Sequence, residues 1–187
     1  MHRDADSPVI DFGAHYLATE TDQAKRYDEL VGSRIRDPKQ YLEWFEKGGF
    51  DGAVLSQPHF MGHPDREKAA GSNDDLWEVV RSFDEFYGLA ALPIGAGGTE
   101  AASEFERCLN NGFHGGALSA ELNGVDLVHK EVAPVLEVAN QTGAPLFVHP
   151  TSNTELRSLV LPDEYQINSA YGREARLCGS ISNVIHE

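Results

Sequence analysis

The chain has little cysteine, little lysine and no long apolar run. Its 187 residues include two cysteines, Cys108 and Cys178. Both fall on apolar positions of predicted helices, so buried free thiols are expected rather than a disulfide or a metal pair. No apolar stretch is long enough to cross a bilayer, so no membrane partner is expected. The opening "MHRDADSP" has no hydrophobic core of a signal peptide, and the expected location is the cytoplasm. Basic residues are also scarce. Thirty acidic side chains oppose fifteen basic ones, for a formal charge of -15, and only five of the bases are lysine. A surface of that sign repels a phosphate backbone and excludes nucleic acid as a partner. The acids are spread along the chain rather than collected in a tail. Such a dispersed acidic, lysine-poor surface fits a halophilic protein in a salt-rich cytoplasm, with an ordinary acidic enzyme as the alternative.

What is present is a regular alternation of strand and helix. Apolar runs at Val9–Ile10, Gly52–Leu55, Tyr87–Leu92, Gly116–Leu118 and Pro145–Val148 are short and nearly continuous. Parallel strands buried on both faces have that pattern. Amphipathic patterns separate them. Asp37-Pro38 caps "KQYLEWFEKGG"; Asp74 opens "DLWEVVRSFDEFYG"; Thr99 opens "EAASEFERCLNNG". A stripe from Asp126 to Thr142 contains Pro134, which predicts a kink or a helix start there. Asp163 opens the last helix, with Tyr171, Ala175, Cys178, Ile181 and Ile185 on one side. The insertion over 12–36 is expected to hold a short helix of its own.

The phrases "EKGGFDGAVLS" and "NNGFHGGALS" share one grammar: helix, glycine, aromatic, glycine, strand. Strand starts roughly 30 to 45 residues apart match right-handed βαβ crossovers. Five such units fit either a doubly wound sheet or part of a (β/α)8 barrel. No G-x-G-x-x-G follows the first strand. After the third, "IGAGGTE" offers Gly95, Gly97 and Gly98 as an anion nest at a helix start, or as a plain glycine-rich turn.

In parallel α/β folds the chemistry sits at the C-terminal ends of the strands. That rule sorts the eight histidines. His15 follows strand one, His59 and His63 follow strand two, and His149 closes strand five in "APLFVHP". His114 precedes strand four on the opposite face, His129 lies on a helix, and His2 and His186 are near the termini. His149, aimed at the rim by four apolar residues, and His15, with the same geometry at the other end of the array, are candidate metal ligands; the alternative for His149 is a rim histidine bonded to a neighbouring carbonyl. His59 contacts substrate or packs its loop.

The segment "VIDFGAHYL" resembles the first strand of the amidohydrolase superfamily, which carries Asp-x-His-x-His, and "GAPLFVHP" resembles its fifth. The stretch "GGALSAELNGVDL…VAPVLEVANQTGAPLFVHP" is similar to the amidohydrolase-2 branch between strands four and five, as in aminocarboxymuconate-semialdehyde decarboxylase. The resemblance implies an incomplete (β/α)8 TIM-type barrel of about five βα units. Residues 1–187 would form one domain, the N-terminal five-eighths of the barrel. It implies a divalent metal, usually zinc, and a hydrolase or carboxy-lyase (decarboxylase) acting on a small carboxylic substrate. The second histidine of the first motif falls on His15 and the fifth-strand ligand on His149. The first histidine falls on Gly13, which has no side chain to ligate with. The later family ligands belong to strands six and eight. Impaired catalysis and a homo-oligomer are thus expected. The competing readings are a non-catalytic remnant or half-barrel acting through an oligomer, and an unrelated flavodoxin-like binding module. The last predicts a central first strand, whereas a barrel arc puts strand one at an edge.

Overall fold

The computed structural model describes residues 7–18, 21, 22, 25, 29, 36–151 and 168–186. Five parallel strands form the sheet: β1 (Ile10–His15), β2 (Gly52–Ser56), β3 (Phe86–Ala91), β4 (Gly115–Ser119) and β5 (Leu146–His149). Their spatial order is their chain order, with β1 and β5 at the two edges. An edge position for β1 matches a barrel arc and removes the flavodoxin-like alternative. Helices α1 (Pro38–Gly48), α2 (Arg66–Val80), α3 (Gly98–Asn111), α4 (Ala133–Thr142) and α5 (Asn168–His186) follow the five strands in turn.

The strand residues alternate between two apolar layers, as the two-residue period of a strand requires. Ala53, Leu55, Phe86, Ala90, Leu92 and Leu118 face the helices, in one cluster with Leu76, Phe105 and Val135. Val54, Leu89, Ala91 and Ala117 form a second cluster on the concave side, with Phe60, Met61 and Phe147. That side is the interior of a barrel. The cluster is buried, and at its edge Phe12 is 54% exposed while its ring meets Phe147 edge-on at 5.7 Å.

Several helix ends follow the sequence. The Asp37 side chain accepts from the Lys39 backbone N–H at 2.9 Å, Pro38 opens α1, and Gly49 closes it at φ 69°. Pro134 marks a helix start rather than a kink, because α4 begins at Ala133. Other expectations are corrected. Helix α2 begins at Arg66, capped by Asp65, eight residues before Asp74. Asp74 is instead mid-helix and pairs with Arg107 at 2.7 Å. His129 sits in a bend, not a helix, and its Nδ1 accepts from the Glu131 N–H at 3.3 Å. The segment before α4 holds a two-strand hairpin, Glu121–Leu122 against Val125–Asp126, turned by Asn123 and Gly124 at φ 54° and 82°. Cys108 is buried as expected, but Cys178 is exposed. On α5 it is Ser180 that is buried, donating to the Ala120 carbonyl at 2.9 Å, while Ile181 and Ile185 face outward. Asp163 and His2 lie outside the described residues, as does most of the 12–36 insertion.

Helices α2 and α3 are locked by a buried carboxylate. Glu104 is fully buried and accepts from Asn73 at 2.8 Å and from the Arg107 guanidinium at 2.8 Å. Asn73 also donates to and accepts from the backbone of Ala91, at the end of β3. Burial pushes the Glu104 carboxyl up, but the hydrogen bonds from Arg107, Asn73 and Cys108 outweigh it and hold it below its ordinary value. Glu104→Ala leaves Asn73 and Arg107 without their shared partner and should cost about 3 kcal/mol. Thermal denaturation should show a Tm lowered by roughly 6–12 °C. A shift under a few degrees would mean the network is dispensable.

Candidate metal centre

His15 and His149 belong to strands at opposite edges of the sheet, 134 residues apart, yet their Nε2 atoms lie 3.1 Å from each other. The curl of the sheet makes this contact. His15 pairs in register with Ser56 on β2, and His149 pairs with Ser119 on β4. All four sit at the C-terminal rim. The strand period puts them on the concave face with Val54, Ala117 and Phe147.

The position of His15 depends on a bulge. Ile10 and Asp11 oppose Gly52 and Ala53, but Ala14 and His15 oppose Leu55 and Ser56. Phe12 and Gly13 together therefore face Val54. The bulge extends β1 through His15, so this histidine ends the strand rather than lying in the loop after it. Asp11 falls opposite Ala53, whose methyl faces the helices, and its carboxylate accepts from the Gly13 N–H at 3.1 Å. Asp11 is thus directed away from the histidine pair.

The base of His15 is fixed from behind. The Tyr41 hydroxyl, on α1, donates to the His15 carbonyl, and the Tyr16 hydroxyl donates to the Arg36 carbonyl at 2.8 Å. Burial pushes the Tyr16 phenol from its ordinary 10.0 up to about 12, with Asp37 adding to the rise and Arg36 opposing it. Burial also raises Tyr41, with Asp11 contributing. A phenol with a raised folded pKa stabilises the fold fully below its unfolded value and loses that contribution as pH rises. Stability should hold to about pH 10 and fall between pH 10 and about 12. Melts across that range, read with tyrosinate absorbance, check this; a flat Tm to pH 12 would contradict it.

The remaining histidines sort clearly. His63 packs its loop, with Nδ1 accepting from the Asp65 N–H at 3.0 Å and its ring 5.7 Å from Phe60. His114 lies at the opposite end of the sheet, accepting from the Gly88 N–H at 3.2 Å beside Tyr87. His59 is half-buried near the pair; burial lowers its pKa and the His15 charge lowers it further.

The glycine-rich loop is not a vacant anion site. The Glu131 carboxylate accepts from the Gly98 N–H at 2.6 Å, so the chain's own anion occupies the start of α3. A Cβ at Gly98 would fall 2.2 Å from the Glu131 carbonyl, and one at Gly95 2.4 Å from the Gly62 carbonyl. The glycines serve close backbone approach. The same loop lines a cavity of about 420 Å³ with Leu118, Asn123 and Val132.

Two ring nitrogens 3.1 Å apart fit neighbouring positions on one divalent cation. With metal–nitrogen bonds of ~2.0–2.1 Å, such donors are about 2.9 Å apart at a right angle and about 3.3 Å apart at the tetrahedral angle. The donor set stops at two. Among the described residues no group of three or more His, Cys, Asp or Glu side chains can hold a metal ion.

The family model described as Amidohydrolase matches residues 10–179. The chain belongs to the amidohydrolase family. Its fold is similar to that of 5-carboxyvanillate decarboxylase from Sphingomonas paucimobilis, at 17% identity and a TM-score of 0.74, covering 93% of this chain and 61% of that one. It is similar also to 2,6-dihydroxybenzoate decarboxylase from Rhizobium, at 21% identity and a TM-score of 0.70, covering 92% and 61%. A dihydroxybenzoic acid decarboxylase from Polaromonas sp. JS666, whose structure holds manganese, shares 24% identity with a TM-score of 0.65, covering 86% and 52%. The chain spans half to three-fifths of the length of these amidohydrolase-fold proteins. The five-stranded parallel sheet is a partial (β/α)8 barrel of the amidohydrolase fold.

The sequence singles out His15 and His149, whose rings the structure brings together, and passes over Ser56, which lies beside His15. The signal was available: in "GAVLS" the serine is two residues beyond the inward-facing Val54.

Proposed function

We propose that the chain forms the metal-bearing arc of a metal-dependent hydrolase or carboxy-lyase acting on small carboxylic acids. His15 and His149 are the metal ligands within it. The reading rests on one observation above all: two histidines from opposite sheet edges meet nitrogen to nitrogen at 3.1 Å. The bound metal, zinc or the manganese seen in the Polaromonas relative, would polarise a substrate oxygen or lower the pKa of a water. The protein's own share is positional. Tyr41 and the bulge hold His15, β4 holds His149 in register, and Phe12 with Phe147 forms an apolar wall on the concave face. We propose a cytoplasmic, halophilic protein with no nucleic-acid or membrane partner. No helix among the described residues is long and apolar enough to cross a membrane.

Catalysis in this chain is proposed to be impaired, because Gly13 stands where the motif has a ligand. One observation favours the second reading, a half-barrel that works only within a homo-oligomer: Phe12, on the concave side, is exposed.

Zinc and manganese titration of the chain and of His15→Ala and His149→Ala tests the assignment. Weak binding that disappears in both variants is expected. Binding unchanged by either substitution would reject the pair as ligands. Tight, stoichiometric binding in the unaltered chain would reject the impairment.

A further inference from the structure

At the C-terminal rim, the loops after β2, β3 and β4 surround a cavity of about 420 Å³. That size falls in the ~300–1,000 Å³ range of small-molecule sites. Ile94, Leu118, Val125 and Val132 give it an apolar wall, with Leu118 and Val132 buried and Val125 half-buried. Ser119 also lines it and pairs in register with His149, so the cavity shares the rim with the histidine pair. We propose that this cavity binds a small organic ammonium, its charged nitrogen on Glu131 and its hydrocarbon body against the apolar wall. The proposal does not depend on the reading of His15 and His149 as metal ligands.

Glu131 sets the sign of the ligand. Among the described lining residues it is the one charged side chain. Its Oε2 accepts from the Gly98 N–H at 2.6 Å. A carboxylate has about four acceptor sites, and Oε1 has no partner among the described residues. The group is also held in advance. Its backbone is wedged against Gly98, where an added Cβ would fall 2.2 Å from the Glu131 carbonyl. Less freedom is then lost when a ligand arrives. The start of α3 contributes roughly half a positive charge, which cancels only part of the carboxylate. The cavity stays negative and disfavours a second anion. A bare metal ion fits poorly as well, because hard divalent cations take about six or more oxygen ligands. Among the described residues no group of three or more His, Cys, Asp or Glu side chains can hold one. An ammonium on an apolar body meets both features: its N–H groups donate to Oε1, and its hydrocarbon covers Leu118 and Val132. A neutral alcohol of the same shape would keep the apolar contact and lose the charge-assisted bond, which is about twice as strong as an uncharged one.

The test uses the full chain, labelled with ¹⁵N, and three probes of similar shape: benzylammonium, benzyl alcohol and benzoate. Backbone amide shifts report where each binds, and their titration reports affinity. Benzylammonium is expected to move the amides of Gly97, Gly98 and Val132, and to bind about tenfold or more tightly than benzyl alcohol. Benzoate is expected to leave those amides unmoved. Glu131→Gln keeps an oxygen for the Gly98 N–H and removes the charge; it is expected to weaken benzylammonium by about tenfold and to leave benzyl alcohol unchanged. Val125→Phe keeps the carboxylate and fills the cavity. It is expected to weaken both probes, and it decides the question alone if Glu131→Gln does not fold. Benzylammonium shifts spread over the surface, equal in the parent and both variants, would be attraction to the net charge of -15 and would overturn the proposal. So would equal affinities for benzylammonium and benzyl alcohol, benzoate binding at the same amides, or no binding of benzylammonium at all.

Discussion

Gly13→His raises the affinity of the chain for zinc by about 100-fold, or ~2.7 kcal/mol. That is the expected gain when a third imidazole joins two that already converge, since catalytic zinc sites use three protein ligands and a water. Position 13 can take the side chain. A Cβ built there meets nothing within 4 Å, and Gly13 is not among the glycines held at positive φ. The bulge sets Phe12 and Gly13 together opposite Val54, on the concave side where the two rings meet. The glycine is therefore no requirement of the backbone. Calorimetric titration of parent and variant measures the effect. An unchanged affinity in a folded variant would mean that position 13 does not face the pair, and that the deficit of the site lies elsewhere.

Self-association carries the second large effect. Among the described residues β1 and β5 are the edge strands, each paired on one side. On the concave side Phe12 is more than half exposed. On α5, Ile181, Val184 and Ile185 are exposed as well. Open edges and contiguous apolar surface favour association. A net charge of -15 opposes it, and salt screens that repulsion, with a Debye length near 10 Å at 0.1 M and near 3 Å at 1 M. The chain should sediment as a dimer or larger species whose mass grows with salt. Analytical ultracentrifugation across a salt series checks this. A compact monomer at every salt concentration, with a cooperative melt, would contradict the open-arc account.

The strands and the histidine pair were legible in the sequence because their signals are local. Continuous apolar runs mark buried parallel strands, and "APLFVHP" ends one on a histidine before a proline. The contact between His15 and His149 was not legible from spacing, since it depends on sheet curvature and a bulge. The bulge left only a weak trace, the glycine at position 13. The start of α2 was placed late because Arg66 to Asn73 is polar, with a face that buries Ala69, Ser72 and Asn73 rather than large apolar groups. The hairpin before α4 did carry a strong local signal, Asn123-Gly124, which the apolar spacing from Val128 to Ala139 obscured. On α5 the apolar stripe predicted the buried face wrongly. Such a stripe marks what tends to be covered, while the sheet and hairpin of this chain cover Ser180 instead.

The central claim is that His15 and His149 hold one divalent cation between them. Anomalous diffraction from crystals of the chain soaked in zinc or manganese tests it most directly. The account predicts a single strong peak on the concave rim, about 2.0–2.2 Å from the Nε2 atoms of both histidines. Peaks confined to the acidic surface, with the two rings still in contact and no metal between them, would contradict it.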